Sequence, residues 1–147
     1  MPVAQATIAD EVRERFPDLS VLSEPARDQI PTFWIPAEAV REALRFLKTE
    51  MPHPYTMLYD LTAIDERVRV NRASQPPSDF TVVYHLLSFE RNQYIRLKVG
   101  LRENQLSLPS ITSVWSAANW YEREVWDLFG IVFEGHPHLE RILMPKT

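Results

Sequence analysis

The sequence contains no cysteine and only three glycines among its 147 residues. Without thiols there is no disulfide, no thiolate nucleophile, no iron–sulfur ligation and no cysteine-containing zinc site, which leaves His, Asp and Glu as the metal ligands on offer. Gly100, Gly130 and Gly135 are too few and too scattered for a Rossmann or P-loop phosphate cradle, which needs several glycines close together. A basic excess is missing too: 16 Lys+Arg stand against 20 Asp+Glu, a net charge of −4. That is the wrong sign for a surface that neutralises nucleic-acid phosphates. No apolar run approaches the roughly 18 residues of a membrane helix. The opening residues, MPVAQATIADEVRERF, carry acids where a signal or transit peptide excludes them. The expectation is a soluble chain facing the cytosol. What is abundant is apolar residues, at 45%, and proline, at 12, enough for one domain over residues 1–147 with one core.

Thr7 with Asp10 resembles a capping box, and Ile8, Val12 and Phe16 line one face of a short helix stopped at Pro17. Residues 20–23 and 32–35 read as a hairpin. Over residues 37–50, Val40, Ala43, Leu44 and Leu47 share one helical face while Arg41, Glu42, Arg45 and Lys48 take the other. Residues 56–62 are apolar on both sides of the alternation except at Asp60, as are residues 80–89, which predicts strands covered on both faces. Residues 94–101 alternate, with Ile95, Leu97, Val99 and Leu101 inward and Arg96 and Lys98 outward, the second arm of a hairpin with one wet face. The polar, Pro-rich stretch 67–79 reads as a mobile surface loop. A short helix over 110–115, a stronger one over 120–129, a strand over 131–133 and an apolar segment over 139–144 complete the chain.

Candidate chemistry concentrates in residues 119–144, NWYEREVWDLFGIVFEGHPHLERILM. At 100° per residue, Tyr121, Val125, Leu128 and Phe129 form an apolar arc extended by Trp126, with Arg123, Glu124 and Asp127 opposite. Glu122 falls inside the apolar arc. There its pKa would be raised, or a partner's cation would neutralise it; the simpler reading makes Asn119 the N-cap and Glu122 the residue reaching back to it. Arg123 and Asp127 are spaced to pair, for tenths of a kcal/mol on a wet face. Aromatics flanking so charged a helix suggest that both of its sides meet protein. Glu134, His136 and His138 could hold a metal in an extended segment, with Glu140 a further oxygen ligand, although no spacing defines the set. Arg67, Arg69 and Arg72 are the corresponding basis for a nucleic-acid module. His85 between apolar neighbours reads as a packed histidine, and the separation of Asp60 from Asp65 is unset. No Ser or Thr has an activating context.

The run ANWYEREVWDLFGIVFEGHPHLERILMP resembles the signature of the thirty-kilodalton subunit family of NADH:quinone oxidoreductase, the C subunit of respiratory complex I. The similarity continues upstream through Tyr59-Asp60-Leu61, Asp65, Tyr84-His85-Leu86, residues 95–99 and Leu108-Pro109-Ser110, and so covers the chain from about Trp34 onward. The resemblance implies a two-layer α+β domain, with a mixed β-sheet and helices packed on one face. It implies a non-catalytic subunit of the peripheral arm, on the cytoplasmic side of the bacterial inner membrane, touching the membrane only through the complex. No cofactor is expected in this chain; iron–sulfur clusters and FMN belong to partner subunits. The implied partners are the D subunit, which carries the quinone site, and the iron–sulfur subunits. The implied interface comprises Glu122, Arg123, Glu124, Trp126, Asp127, Phe129, His136 and Arg141. Glu140 stands where a basic residue is usual, so Arg141 alone would supply that charge. The wording of residues 133–147 is similar to bacterial forms in which the C and D subunits are fused, which suggests a chain cut within such a fusion. Related hydrogenase and formate-oxidising complexes use similar subunits, so the electron donor stays open at this point.

Overall fold

The structure, a computed structural model, describes residues 8–24, 27–67 and 78–137. Helix α1 (Ile8–Arg15) buries Ile8, Ala9 and Val12, and Phe16 beyond it packs edge-on against Phe46 at 5.8 Å. Thr7, expected to cap this helix, lies outside the described residues. Strands β1 (Leu22–Glu24) and β2 (Thr32–Trp34) form the expected antiparallel hairpin. A single 3₁₀ turn, Ala37–Ala39, leads into helix α2 (Val40–Thr49). Its inward face carries Val40, Ala43, Leu44 and Leu47 as the spacing predicts, with Phe46 added.

Three nine-residue strands follow: β3 (Met57–Asp65), β4 (Phe80–Ser88) and β5 (Gln93–Leu101). They pair as an antiparallel meander, and β2 joins the far side of β5 in parallel, so the sheet is mixed, in the order β1-β2-β5-β4-β3. Val82, Tyr84 and Leu86 of β4 lie in register with Val99, Leu97 and Ile95 of β5. These six belong to the same core cluster as the apolar residues of all three helices, whereas Trp34 and Val83 on the opposite sheet face are buried outside that cluster. The helices therefore form one layer and the sheet the other, as expected. A parallel pair of short strands, β6 (Ser107–Pro109) and β7 (Val132–Glu134), brackets helix α3 (Ala118–Phe129).

Three local expectations are corrected. Strand β3 is not covered on both faces: it lies at the sheet edge, with Met57 and Tyr59 exposed. Its interior neighbour β4 is the strand with near-continuous burial. Residues 110–115 do not form a helix. The N–H groups of Val114 and Trp115 both bond the carbonyl of Ile111, and Ser110 Oγ accepts the N–H of Thr112 at 3.1 Å, a side-chain alternative that competes with helical bonding. The outward face of β5 is wet only at its ends, Tyr94 and Gly100, because between them Arg96 and Lys98 lie along the sheet in ion pairs with Asp28 at 2.6 Å and Glu24 at 2.8 Å. The Lys98 ammonium also sits over the Trp34 ring at 5.3 Å.

Candidate functional site

Helix α3 is set by its two ends and one buried anchor. It begins on Ala117 without a side-chain cap and ends at Gly130, whose φ of 73° makes the left-handed stop that glycine tolerates best. Because the helix starts ahead of Asn119, the Asn119–Glu122 capping arrangement does not form. Glu122 instead turns inward, completely buried. Its carboxylate accepts the Ser110 hydroxyl at 2.6 Å and the Ile111 N–H at 2.8 Å, tying α3 to the segment after β6. Burial pushes its pKa up to about 7, with the two hydrogen bonds and the Arg41 cation opposing. The Tyr84 hydroxyl, wholly buried and without a hydrogen-bond partner among the described residues, is raised by desolvation and then by the charge of Glu122. Arg41 closes this region from α2, donating Nε to the carbonyl of Ser110 at 3.0 Å and Nη2 to that of Glu134 at 3.3 Å.

Admitting Glu122 to the buried side rotates the helix. Ala118, Glu122 and Val125 face the core, with Tyr121, Trp126 and Phe129 half-buried beside them. Phe129 packs edge-on against Phe80 at 6.1 Å, and the Tyr121 hydroxyl donates to the carbonyl of Tyr59 at 3.3 Å. Leu128, expected in the apolar arc, is rotated out and 74% exposed. It helps line a groove of about 290 Å³ with Leu106, Phe129 and Arg67. Trp120, Glu124 and Leu128, one per turn, form an exposed row with Asp127 alongside. Arg123 does not pair with Asp127: its guanidinium stacks on Trp120 at 5.1 Å, and its buried Nε has no hydrogen-bond partner among the described residues. Glu124 and Asp127 make no ion pair among the described residues.

His136 returns to the start of this helix, its Nε2 3.1 Å from the carbonyl of Asn119. Among the described residues no three His, Asp or Glu side chains come together as a metal cluster. His138, Glu140, Arg141, Arg69 and Arg72 lie outside the described residues, as do the segment 139–144 and most of the 67–79 loop. Asp65 pairs with Arg67 at 2.7 Å, which holds its carboxyl down at about 2. It stands five positions along β3 from Asp60, about 16 Å at strand rise, too far for a shared acid–base site. Arg41 and Tyr84 escaped the sequence reading. A cation on the polar face of one helix gives no hint that it bridges to two strands, and a tyrosine among apolar strand residues gives none that its hydroxyl is orphaned.

Residues 33–147 match the family model for the respiratory-chain NADH dehydrogenase, 30 Kd subunit. The C/D subunit of the NADH-quinone oxidoreductase of Nitrosospira multiformis is 62% identical over 118 residues, 80% of this chain and 19% of the relative. That of Methylococcus capsulatus is 51% identical over 141 residues, 96% of this chain and 24% of the relative. The chain thus spans about a fifth to a quarter of the length of these relatives. Among solved structures, a trypsin-resistant fragment (1-134) of Nqo5 superimposes with a TM-score of 0.67 at 30% identity, over 87% of this chain and 93% of the fragment. A chain of the membrane-bound sulfane sulfur reductase, an archaeal respiratory membrane complex, gives 0.70 at 25% identity, over 95% of this chain and 75% of that one.

Proposed function

The chain belongs to the family of the 30 kDa subunit of respiratory-chain NADH dehydrogenase, and from that premise we propose that it is a non-catalytic docking domain of a proton-translocating NADH:quinone oxidoreductase. In this reading the 147 residues form one domain, the C part of a C/D fusion protein. It holds the quinone-site D part and the iron–sulfur subunits of the peripheral arm on the cytoplasmic side of the inner membrane. The clusters and FMN reside in those partners. No helix among the described residues is long and apolar enough to cross a membrane, which suits attachment through other subunits.

The observation that carries the proposal is the outer row of α3. Trp120 and Leu128 are 64% and 74% exposed, and beside them stand the carboxylates of Glu124 and Asp127, which make no ion pair among the described residues. A lone folded chain gains nothing from large apolar side chains held in water, whereas an interface uses aromatic anchors with charges that fix register. Arg123, Glu124 and Asp127 are the contact residues of this reading, with His136 and Arg141 extending them. Glu122, Trp126 and Phe129, expected in the same set, are buried or half-buried and act by holding the helix at its angle. Tagged full-length protein carrying Glu124→Gln or Arg123→Ala should melt close to the parent yet lose about 1–3 kcal/mol of docking free energy. The check is the recovery of NADH:quinone activity and iron–sulfur absorbance with the tag from gently solubilised membranes. Undiminished recovery would overturn the interface assignment. The likeness to a sulfane sulfur reductase supports the same docking role in a complex with another electron donor; NADH oxidation by the purified complex decides between them.

A further inference from the structure

The sheet face turned away from the helices carries a second unusual surface. Met57, Leu87 and Tyr94 stand in one register row across β3, β4 and β5. The shift in register between Leu58 and Asp60 marks a bulge, which lets two consecutive residues, Tyr59 and Asp60, reach this same face. The ring of Tyr59 packs edge-on against Tyr94 at 5.2 Å. Met57, Tyr59 and Tyr94 are 39%, 52% and 39% exposed, a contiguous apolar patch of the kind that marks interaction sites.

Beside the patch the next row is polar: Asp60, His85 and Arg96 lie in register. Arg96 is fully engaged, donating Nη2 to Asp28 at 2.6 Å, Nε to His85 Nε2 at 3.0 Å and Nη1 to Thr32 Oγ1 at 3.3 Å. With Nε2 accepting, neutral His85 carries its proton on Nδ1. That atom is buried, without a hydrogen bond and 3.9 Å from Asp60 Oδ2. Desolvation and then the Arg96 cation hold the imidazole below its usual pKa, so the ring facing Asp60 is uncharged at pH 7. The Asp60 carboxylate, 43% exposed, therefore meets no cation and accepts no hydrogen bond among the described residues; its neighbour is the uncharged Nδ1–H of His85, too far away at 3.9 Å to bond.

We propose that Met57, Tyr59, Leu87 and Tyr94, with Asp60 beside them, form a second docking surface, which takes a protein partner presenting aliphatic or aromatic side chains around a Lys or Arg. The uncompensated carboxylate fixes the sign of the partner's charge, and the tyrosines supply rigid contact area at low entropic cost. A second copy of this chain is the poorer occupant. A two-fold contact would set Asp60 against its twin while Arg96 is already committed, between chains of net charge −4. The proposal rests on the reading of the chain as a docking module and puts a partner on the layer opposite α3.

The test uses the full-length tagged protein in its host, with a photo-crosslinking phenylalanine analogue at Met57 and the product mapped by peptide mass spectrometry in the purified complex. The expected product joins Met57 to a Lys- or Arg-bearing segment of another polypeptide of the complex. Asp60→Lys should lower retention of that polypeptide about tenfold, with Asp60→Asn less severe. A product with a second copy, a product with lipid, no product, or unchanged retention in Asp60→Lys overturns the proposal. Should Asp60→Lys fail to fold, the Met57 crosslink still decides. If α3 variants release the complex while Met57 captures nothing, this surface falls and the docking reading stands; a chain recovered alone from unaltered cells defeats both.

Discussion

Glu122 is a titratable group shut off entirely from the protein surface. Its folded pKa of about 7 lies above the usual carboxylate value of 4.5, so the native state holds a proton that the unfolded chain has released. The stability this contributes is full below pH 4.5 and is lost as pH rises towards 7, amounting to about 3 kcal/mol for a shift of this size. Glu122→Gln mimics the protonated form: its carbonyl oxygen can keep the Ile111 N–H, and its amide can donate to Ser110 Oγ. The difference in urea-unfolding free energy between this variant and the parent should grow as pH rises from 5 to 8, and at pH 8 the variant should exceed the parent by about 1–3 kcal/mol. Equal pH profiles for the two proteins would refute the buried-proton account. Glu122→Leu, by contrast, leaves the Ile111 amide unsatisfied and should lose about 1–3 kcal/mol at pH 5. The helical projection placed Glu122 in the apolar arc and offered a raised pKa as one reading beside the simpler capping one, which does not form; its partners were not legible, because residues twelve and eleven positions away meet only when α3 lies against the turn after β6.

At the scale of elements, α3 is a lever pinned at one point and stopped at another. Gly130 ends it with φ of 73°, and its N–H bonds the carbonyl of Trp126 at 2.9 Å. A Cβ at this position would meet nothing within 4 Å, so Gly130→Ala tests backbone conformation alone and should cost about 1 kcal/mol, read as a fall in Tm of a few degrees. Arg41 is the second fastener, and Arg41→Ala, which strips donors from the carbonyls of Ser110 and Glu134, should cost about 1.5–3 kcal/mol in urea unfolding at pH 5, where Glu122 is protonated. Periodicity located α1, α2 and the long strands because each has one apolar face of the right period. It misplaced a helix at 110–115, where hydroxyl-to-backbone bonds win locally, and it put Leu128 inside, because the simpler capping reading of Glu122 left Leu128 a place in the arc that the buried carboxylate takes when it rotates the helix.

For the molecule as a whole, the mixed sheet is the decisive feature, and its strand order was beyond the sequence. Hairpins announce themselves through short turns, whereas the pairing of β2 with β5 joins Thr32 to Arg96 with nothing nearby to signal it. Leu97 lies at the junction, in register with Phe33 on one side and Tyr84 on the other, fully buried. Leu97→Ala should therefore lose about 2–5 kcal/mol, measured by urea unfolding; a loss below about 1 kcal/mol would refute its place in a close-packed junction. The same long-range pairing bears on how the protein is made. Strand β2 emerges from the ribosome 64 residues before its partner position in β5, several seconds at roughly 5–20 residues per second. Through that interval Phe33 and Trp34, both later buried, stand on an unpaired strand edge. The newborn chain is thus most open to mispairing and chaperone capture before residue 101 is out, and slowing synthesis within β3 or β4 should lower its soluble yield more than slowing it after β5.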